Sequence, residues 1–307
     1  MIISASRRTD IPAVYADWLL SRLREGYVCV RNPFSYHQVS KIVLNPDVVD
    51  AFVFWTKNPA PLMKHLPELE KYMYYFQFTL NAYGREVERN LPSLENRIET
   101  FRELASRIGK ERIIWRYDPI GISQAYPVDW HLEQFERLAK ALEGCTETCV
   151  ISFLDLYPSV TNNLRQLEMS PPDNKETELL AQGIASIAAA HGIRPAACCE
   201  AASLSAFGIE PAHCIDGELL SRLLCCKLNC GKDGNQRKNC GCVQSIDIGV
   251  YGTCRHGCAY CYAGGQNGGK KFEWESNSPL LGSKLMSDDK VKEKNMYSFQ
   301  DQQLSLF

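Results

Sequence analysis

The chain has 307 residues, 45% of them hydrophobic and 23% charged, an ordinary globular balance with room for one large domain or two small ones. A formal net charge of -2 gives no overall basic surface, so composition lends no support to nucleic-acid binding. No apolar run approaches the ~20 residues of a membrane span. The opening Met1-Ile2-Ile3-Ser4-Ala5-Ser6-Arg7-Arg8 also lacks the order of a signal peptide, so a cytoplasmic protein without a membrane partner is expected.

The first predicted strand is Ile2 to Ala5, running into the polar stretch Ser6-Arg7-Arg8-Thr9-Asp10. Apolar residues at helical spacing predict a helix over Ala13 to Arg24. Tyr27 to Leu44 reads as a hairpin excursion that turns at Asn32-Pro33. A strand over Ala51 to Trp55 leads into Thr56-Lys57-Asn58, and one over Tyr74 to Thr79 leads to Asn81. The alternation continues with a helix over Leu94 to Ile108 and a strand over Arg112 to Arg116 that ends in Tyr117-Asp118. A helix over Leu132 to Leu142 and a strand over Val150 to Phe153 follow, with Asp155 and Tyr157 just beyond. A helix over Glu176 to Ala190, a strand over Ile193 to Ala197 with Glu200 after it, and a last strand over Ile246 to Val250 complete the series. Several strands are almost wholly apolar, as strands covered on both faces are. Strand alternating with helix predicts a parallel α/β sheet, open or closed into a barrel.

In a parallel barrel the residues just past the strands meet at the C-terminal face, where active sites are built. Each of these polar residues taken alone is better explained as a helix cap or loop residue, so the collection carries the argument. It makes Arg116, Tyr117, Asp118 and Lys57 the catalytic or substrate-binding candidates, with Asp155 and Glu200 beside them. Lys57 is expected to hold an anionic substrate or a cofactor carboxylate. No P-loop or dinucleotide fingerprint is present.

Of fourteen cysteines, Cys29, Cys145 and Cys149 are scattered, and the other eleven fall between Cys198 and Cys261. In a reducing compartment such density is better explained by metal ligation than by disulfides. Cys254, Cys258 and Cys261 form a C-x3-C-x2-C run. Three soft thiolates on one short loop fit three corners of a [4Fe–4S] cube and leave one iron for an outside ligand, whereas structural zinc needs a fourth ligand. His256 is read as a solvent-facing residue of this loop, although a zinc site would use it. Cys240-Gly241-Cys242 sets two thiolates side by side as half of a second site, and Cys226 with Cys230 repeats a C-x3-C spacing that is an alternative source of ligands. The chain thus divides into a body over 1–197, a cysteine-rich region over 198–245, a strand and cluster loop over 246–263, and an irregular tail over 264–307.

The triplet, with Tyr260 immediately before its last cysteine and a strand before it, resembles the signature of the radical S-adenosylmethionine superfamily. That resemblance implies that the open iron binds the amino and carboxylate groups of S-adenosylmethionine, with Tyr260 near the adenine. One electron, from a donor such as flavodoxin or ferredoxin, would cleave the sulfonium to methionine and a 5′-deoxyadenosyl radical. The radical would take hydrogen from a small molecule, a peptide or another substrate. In the superfamily the motif follows the first barrel strand. Here it follows the last, which implies a circularly permuted (β/α) barrel, partial or complete, with Ile2 to Ala5 as second strand. That places Ser6, Arg7, Arg8 and Thr9 near the cofactor, although the usual Gly-Gly-Glu run is absent there.

A closer resemblance, over nearly the whole chain, is to the domain of unknown function 1848 family. It is carried by Ser6-Arg7-Arg8-Thr9-Asp10-Ile11-Pro12, Phe54-Trp55-Thr56-Lys57-Asn58-Pro59, Arg116-Tyr117-Asp118-Pro119, Cys214-Ile215-Asp216, Gln236-Arg237 with Cys240-Gly241-Cys242, and Asp247-Ile248-Gly249. The family's Cys-x-Glu element matches Cys198 and Glu200 rather than Cys199. The resemblance therefore implies Cys198, Cys214, Cys240 and Cys242 as ligands of an auxiliary [4Fe–4S] cluster. Alternatives are a non-catalytic zinc scaffold or iron–sulfur electron carrier, and nucleic-acid repair in the style of spore photoproduct lyase, against which the near-neutral charge weighs.

Overall fold

In the computed structural model, which describes residues 1–200, 204–237, 240–264 and 275–301, strand and helix alternate as the sequence leads one to expect. The chain opens with β1 (Ile2–Ala5), α1 (Ile11–Val14) and α2 (Ala16–Glu25), then a hairpin of β2 (Tyr27–Asn32) and β3 (Ser35–Val43). It continues through β4 (Ala51–Thr56), α3 (Ala60–Met63), β5 (Met73–Thr79), α4 (Leu94–Ile108), β6 (Ile113–Ile120) and α5 (Val128–Ala141). Then come β7 (Thr148–Phe153), α6 (Thr161–Gln166), α7 (Asn174–Ala190), β8 (Arg194–Ala197) and β9 (Glu210–Pro211). The last elements are α8 (Gly217–Leu223), β10 (Ile246–Asp247) and β11 (Lys290–Glu293).

Eight strands form one sheet in the order β10-β1-β4-β5-β6-β7-β8-β9, and every neighbouring pair is parallel. β10 and β9 are the two ends of this order, and no strand pairing joins them among the described residues. The two faces differ in cover. On the outer face, Phe78 of β5 stacks on Phe101 of α4 at 4.9 Å between ring centroids, and Trp115 of β6 stacks on Phe135 of α5 at 4.8 Å. On the other face the segment after β9 crosses the middle of the sheet. Tyr75 Oη and Gln77 Nε2 of β5 donate to the carbonyl of Cys214 at 2.7 and 2.8 Å. With both faces covered, the middle strands have no solvent side, which is why they read as continuous apolar runs.

Three features depart from the sequence expectations. The helix expected over Ala13 to Arg24 is two helices broken at Tyr15. Asp10 caps the first one early, accepting from Ala13 N at 3.0 Å, and the Tyr15 hydroxyl donates to the Thr253 carbonyl at 2.6 Å. The strand expected over Ile246 to Val250 stops at Asp247, because the Asp247 carboxylate accepts from Gly249 N at 3.0 Å and turns the backbone away. The tail, expected to be irregular, contributes β11, parallel to β3, with all four residues exposed and hence no apolar pattern to announce it. The glycine-rich run at 265–269 and the end of the tail lie outside the described residues. No helix among the described residues is long and apolar enough to cross a membrane.

Candidate metal and active site

The C-terminal ends of the sheet strands surround a cavity of about 530 Å³. Its lining includes Ser6, Arg7, Arg8 and Thr9 after β1, Lys57 after β4, Arg116 and Asp118 at the end of β6, and Cys198 after β8. Cys214, Cys240, Cys242, Cys254, Cys258, Tyr260 and Cys261 complete the expected set. The exception is Tyr117. Side chains alternate across a strand, so with Arg116 facing the cavity Tyr117 faces α5, where it is 2% exposed and donates to His131 Nδ1 at 3.0 Å. It is a packing residue, and the acid–base role expected for it is withdrawn.

The loop carrying Cys254, Cys258 and Cys261 is pinned from outside the sheet. Ala259 N donates to the Val87 carbonyl at 2.8 Å, and Asn90 N donates to the His256 carbonyl at 3.0 Å. Gly257 turns the loop at φ +66°, a region that costs a residue with a Cβ about 1 kcal/mol or more. His256 is not solvent-facing as expected. It is 7% exposed, and its Nε2 pairs with Asp10 Oδ2 at 2.7 Å, an oxygen that also accepts from Lys57 N at 2.7 Å. One carboxylate thus joins the cap of α1, the end of β4 and the cysteine loop.

Tyr260 is fixed by a buried ion network. Its hydroxyl bonds Glu88, and Lys57 Nζ donates to both Glu88 Oε1 and Tyr260 Oη at 2.7 Å. Arg97 pairs with the second Glu88 oxygen at 3.2 Å. Burial pushes the Glu88 carboxyl up, but Lys57 and Arg97 outweigh it and hold Glu88 below the usual carboxylate range. Burial likewise works against the Lys57 ammonium, and Glu88 and Cys258 more than restore it. The ammonium expected to meet an anionic ligand is therefore committed to Glu88, and its task is to hold Tyr260.

The second thiol set lies across the same cavity. Cys198 Sγ and Cys214 Sγ are 2.9 Å apart, and Cys242 Sγ accepts from Ile215 N at 3.3 Å. Cys199, passed over in the sequence, also lines the cavity, alongside Cys198 and Cys240. Cys225, Cys226 and Cys230 do not line it. All fourteen cysteines are free. A zinc ion with Zn–S of 2.3 Å holds its thiolates about 3.8 Å apart. Among the described residues, the trio of His, Cys, Asp or Glu ligand atoms lying mutually within 4.8 Å is His37, Asp288 and Asp289, so no three sulfurs of either thiol set are gathered that closely, although the Cys198–Cys214 pair is closer than a shared zinc would hold it.

Other groups the sequence left unassigned complete the cavity. Asp247 organises the loop after β1, accepting from Ser4 Oγ at 2.9 Å, Ser6 Oγ at 2.6 Å and Arg7 N at 2.9 Å. Gly249 must be glycine, since a Cβ there would meet Ser6 Oγ at 2.0 Å. Thr9 Oγ1 and Trp55 Nε1 are buried on the cavity lining without a hydrogen-bond partner. Glu200 accepts from Phe153 N at 2.9 Å, and burial raises its carboxyl to about 7. At the rim, Arg237 joins Asp155 at 2.6 Å.

Fold and site together define an α/β protein whose parallel sheet opens at its C-terminal edge onto a cavity lined by two groups of thiols. Residues 2–263 match the family described as Domain of unknown function (DUF1848), and the chain belongs to it. No curated protein and no solved structure matches the chain significantly.

Proposed function

We propose that the chain is a radical S-adenosylmethionine enzyme with two [4Fe–4S] centres on one cavity, built on an incomplete, circularly permuted (β/α) barrel. The observation that carries the reading is the placement of the C-x3-C-x2-C thiols. They follow the short strand β10 and lie at the C-terminal edge of the parallel sheet, on the same cavity as the second thiol set. The donor set of the first site fits the group: three soft thiols, no disulfide among them, and sulfurs that do not all lie within 4.8 Å of one another. The unpartnered Thr9 hydroxyl and Trp55 indole N–H supply polar contacts for a cofactor or substrate.

Cys254, Cys258 and Cys261 would hold the first cluster, and Cys198, Cys214, Cys240 and Cys242 the second. With S-adenosylmethionine bound, the first cluster supplies reductive cleavage and a 5′-deoxyadenosyl group that removes hydrogen from the substrate. The chain's own residues do the positioning. Asp10 and His256 hold the cysteine loop against α1, Lys57 and Glu88 hold Tyr260 as a fixed aromatic wall, and Asp247 shapes the Ser6–Thr9 loop. Glu200, with a pKa near neutrality, is suited to hold or release a proton beside the substrate. A small flavodoxin- or ferredoxin-type donor is the expected reductant.

Anaerobically purified protein should carry about eight irons per chain, falling to about four when Cys254, Cys258 and Cys261 are all replaced by Ala. Dithionite with S-adenosylmethionine should yield 5′-deoxyadenosine, and Cys258→Ala should abolish it. A colourless, iron-free, zinc-loaded protein would overturn the reading. A fully loaded protein that forms no 5′-deoxyadenosine would make the chain an electron carrier instead. Steeply salt-dependent DNA binding would return nucleic-acid repair to consideration.

A further inference from the structure

We propose that Arg116, through its hydrogen bond to Cys214, sets the reduction potential of the second cluster, and that Asp118 moderates it. The inference rests on the two-cluster reading above. Both residues stood in the sequence as catalytic candidates, but the guanidinium already bonds a protein partner through every nitrogen, with one N–H of Nη2 left over. It is 5% exposed, and Nη1 donates to Cys214 Sγ at 3.0 Å and to Gln77 Oε1 at 3.3 Å. Nε donates to Asp118 Oδ2 at 2.8 Å, and Nη2 bonds the same oxygen. The Trp55 ring centroid lies 5.2 Å from its central carbon.

Every partner in this chain of contacts is held in turn. Asp118 accepts from Ser152 Oγ, its N–H donates to Asn81 Oδ1 at 2.9 Å, and its carbonyl accepts from Asn81 Nδ2 at 2.8 Å. Cys214 is fixed through its carbonyl by Tyr75 and Gln77. A buried cation is therefore aimed at one ligand sulfur and cannot swing away from it.

Reduction adds a negative charge to a thiolate-bound cluster. A charged N–H donor on a ligand sulfur stabilises the more negative state and raises the potential, more than a neutral donor does. Inside a buried site this field is weakly screened. The Asp118 carboxylate cancels part of it. The two residues should therefore move the potential in opposite directions, whereas a merely structural pair would have both substitutions act in the same way, by loss of the cluster.

The test uses the full chain with Cys254, Cys258 and Cys261 replaced by Ala, so that the second cluster alone remains, in redox titrations followed by electron paramagnetic resonance. Arg116→Gln should keep about four irons and shift the midpoint down. Arg116→Lys, which retains the charge, should return it toward the parent value. Asp118→Asn should shift it up. If Arg116→Gln fails to hold iron, the Asp118→Asn shift decides: upward supports the proposal, and no shift or a downward one overturns it. Unchanged midpoints in loaded Arg116→Gln and Asp118→Asn proteins would also overturn it while leaving the second cluster standing. A parent variant that binds no iron would instead remove the second cluster, and this inference with it.

Discussion

Asp10 and His256 stand 246 positions apart and meet at 2.7 Å, a contact that no local pattern announces. Replacing Asp10 with Ala would free the cysteine loop from α1 and from the end of β4. The expected result is loss of about half the iron, from the first cluster, with the second retained. Iron counting beside a Cys254→Ala control checks it. His131 offers a test remote from the thiols. It is 1% exposed, its Nε2 donates to the Gly121 carbonyl at 3.0 Å, and in the neutral ring its Nδ1 is left to accept from Tyr117. Burial lowers its pKa to about 4. The unfolded chain, with an ordinary histidine near 6.5, binds the proton that the folded chain refuses. Stability should therefore fall as pH drops from about 6.5 toward 4, by on the order of 3 kcal/mol from this residue. Urea unfolding at pH 7.5 and pH 5 should show a smaller drop for His131→Gln than for the native chain.

At the scale of elements, legibility followed length and amphipathic period. α4 was readable to the residue from Leu94 to Ile108, because Ser93 caps it, accepting from Asn96 N at 3.2 Å, and one face is apolar. α7 carries a capping box in which Asp173 and Glu176 each bond the other's backbone N–H. Asp173→Ala should cost about 1 kcal/mol and a few degrees of melting temperature. Because α7 supplies no cavity-lining residue, 5′-deoxyadenosine yield should not change. Among the short elements β1 was read to the residue, but others were missed or cut short. β9 has two residues, and β10 ends at Asp247 because that side chain redirects its own backbone, which strand propensity does not register. β11 is exposed throughout and exists because β3 offers it a free edge.

For the whole molecule, the sequence revealed the parallel sheet and the ring of polar residues past its strands, since both follow from chain-local patterns. It did not reveal which of those residues face inward. Arg116 and Tyr117 are adjacent, yet they lie on opposite faces of the sheet, and only packing against α5 decides which is which. Nor did it show that Lys57 is committed to Glu88, a partner 31 positions away. The two thiol sets share their cavity with the Ser6–Thr9 loop, so iron should stabilise these parts together. Hydrogen exchange of iron-free against iron-loaded protein should show faster exchange over 6–10 and 198–263, with β4 to β7 unchanged. A uniform increase across the sheet would show that the body itself depends on the metal.

The pairing of β10 with β1 joins residues 246–247 to residues 3–4. On a ribosome, β1 emerges more than 240 residues before the strand it pairs with. The middle of the sheet is made of consecutive units and can assemble as the chain grows, but the edge beside β1 stays bare until residue 247 has cleared the tunnel. All eleven clustered cysteines follow residue 197, so the thiols and the strand that positions them arrive together, after the body of the sheet. On the proposed two-cluster reading, metal loading would follow translation of the body, and a nascent chain stalled before residue 246 would lack the strand that positions the first thiol set.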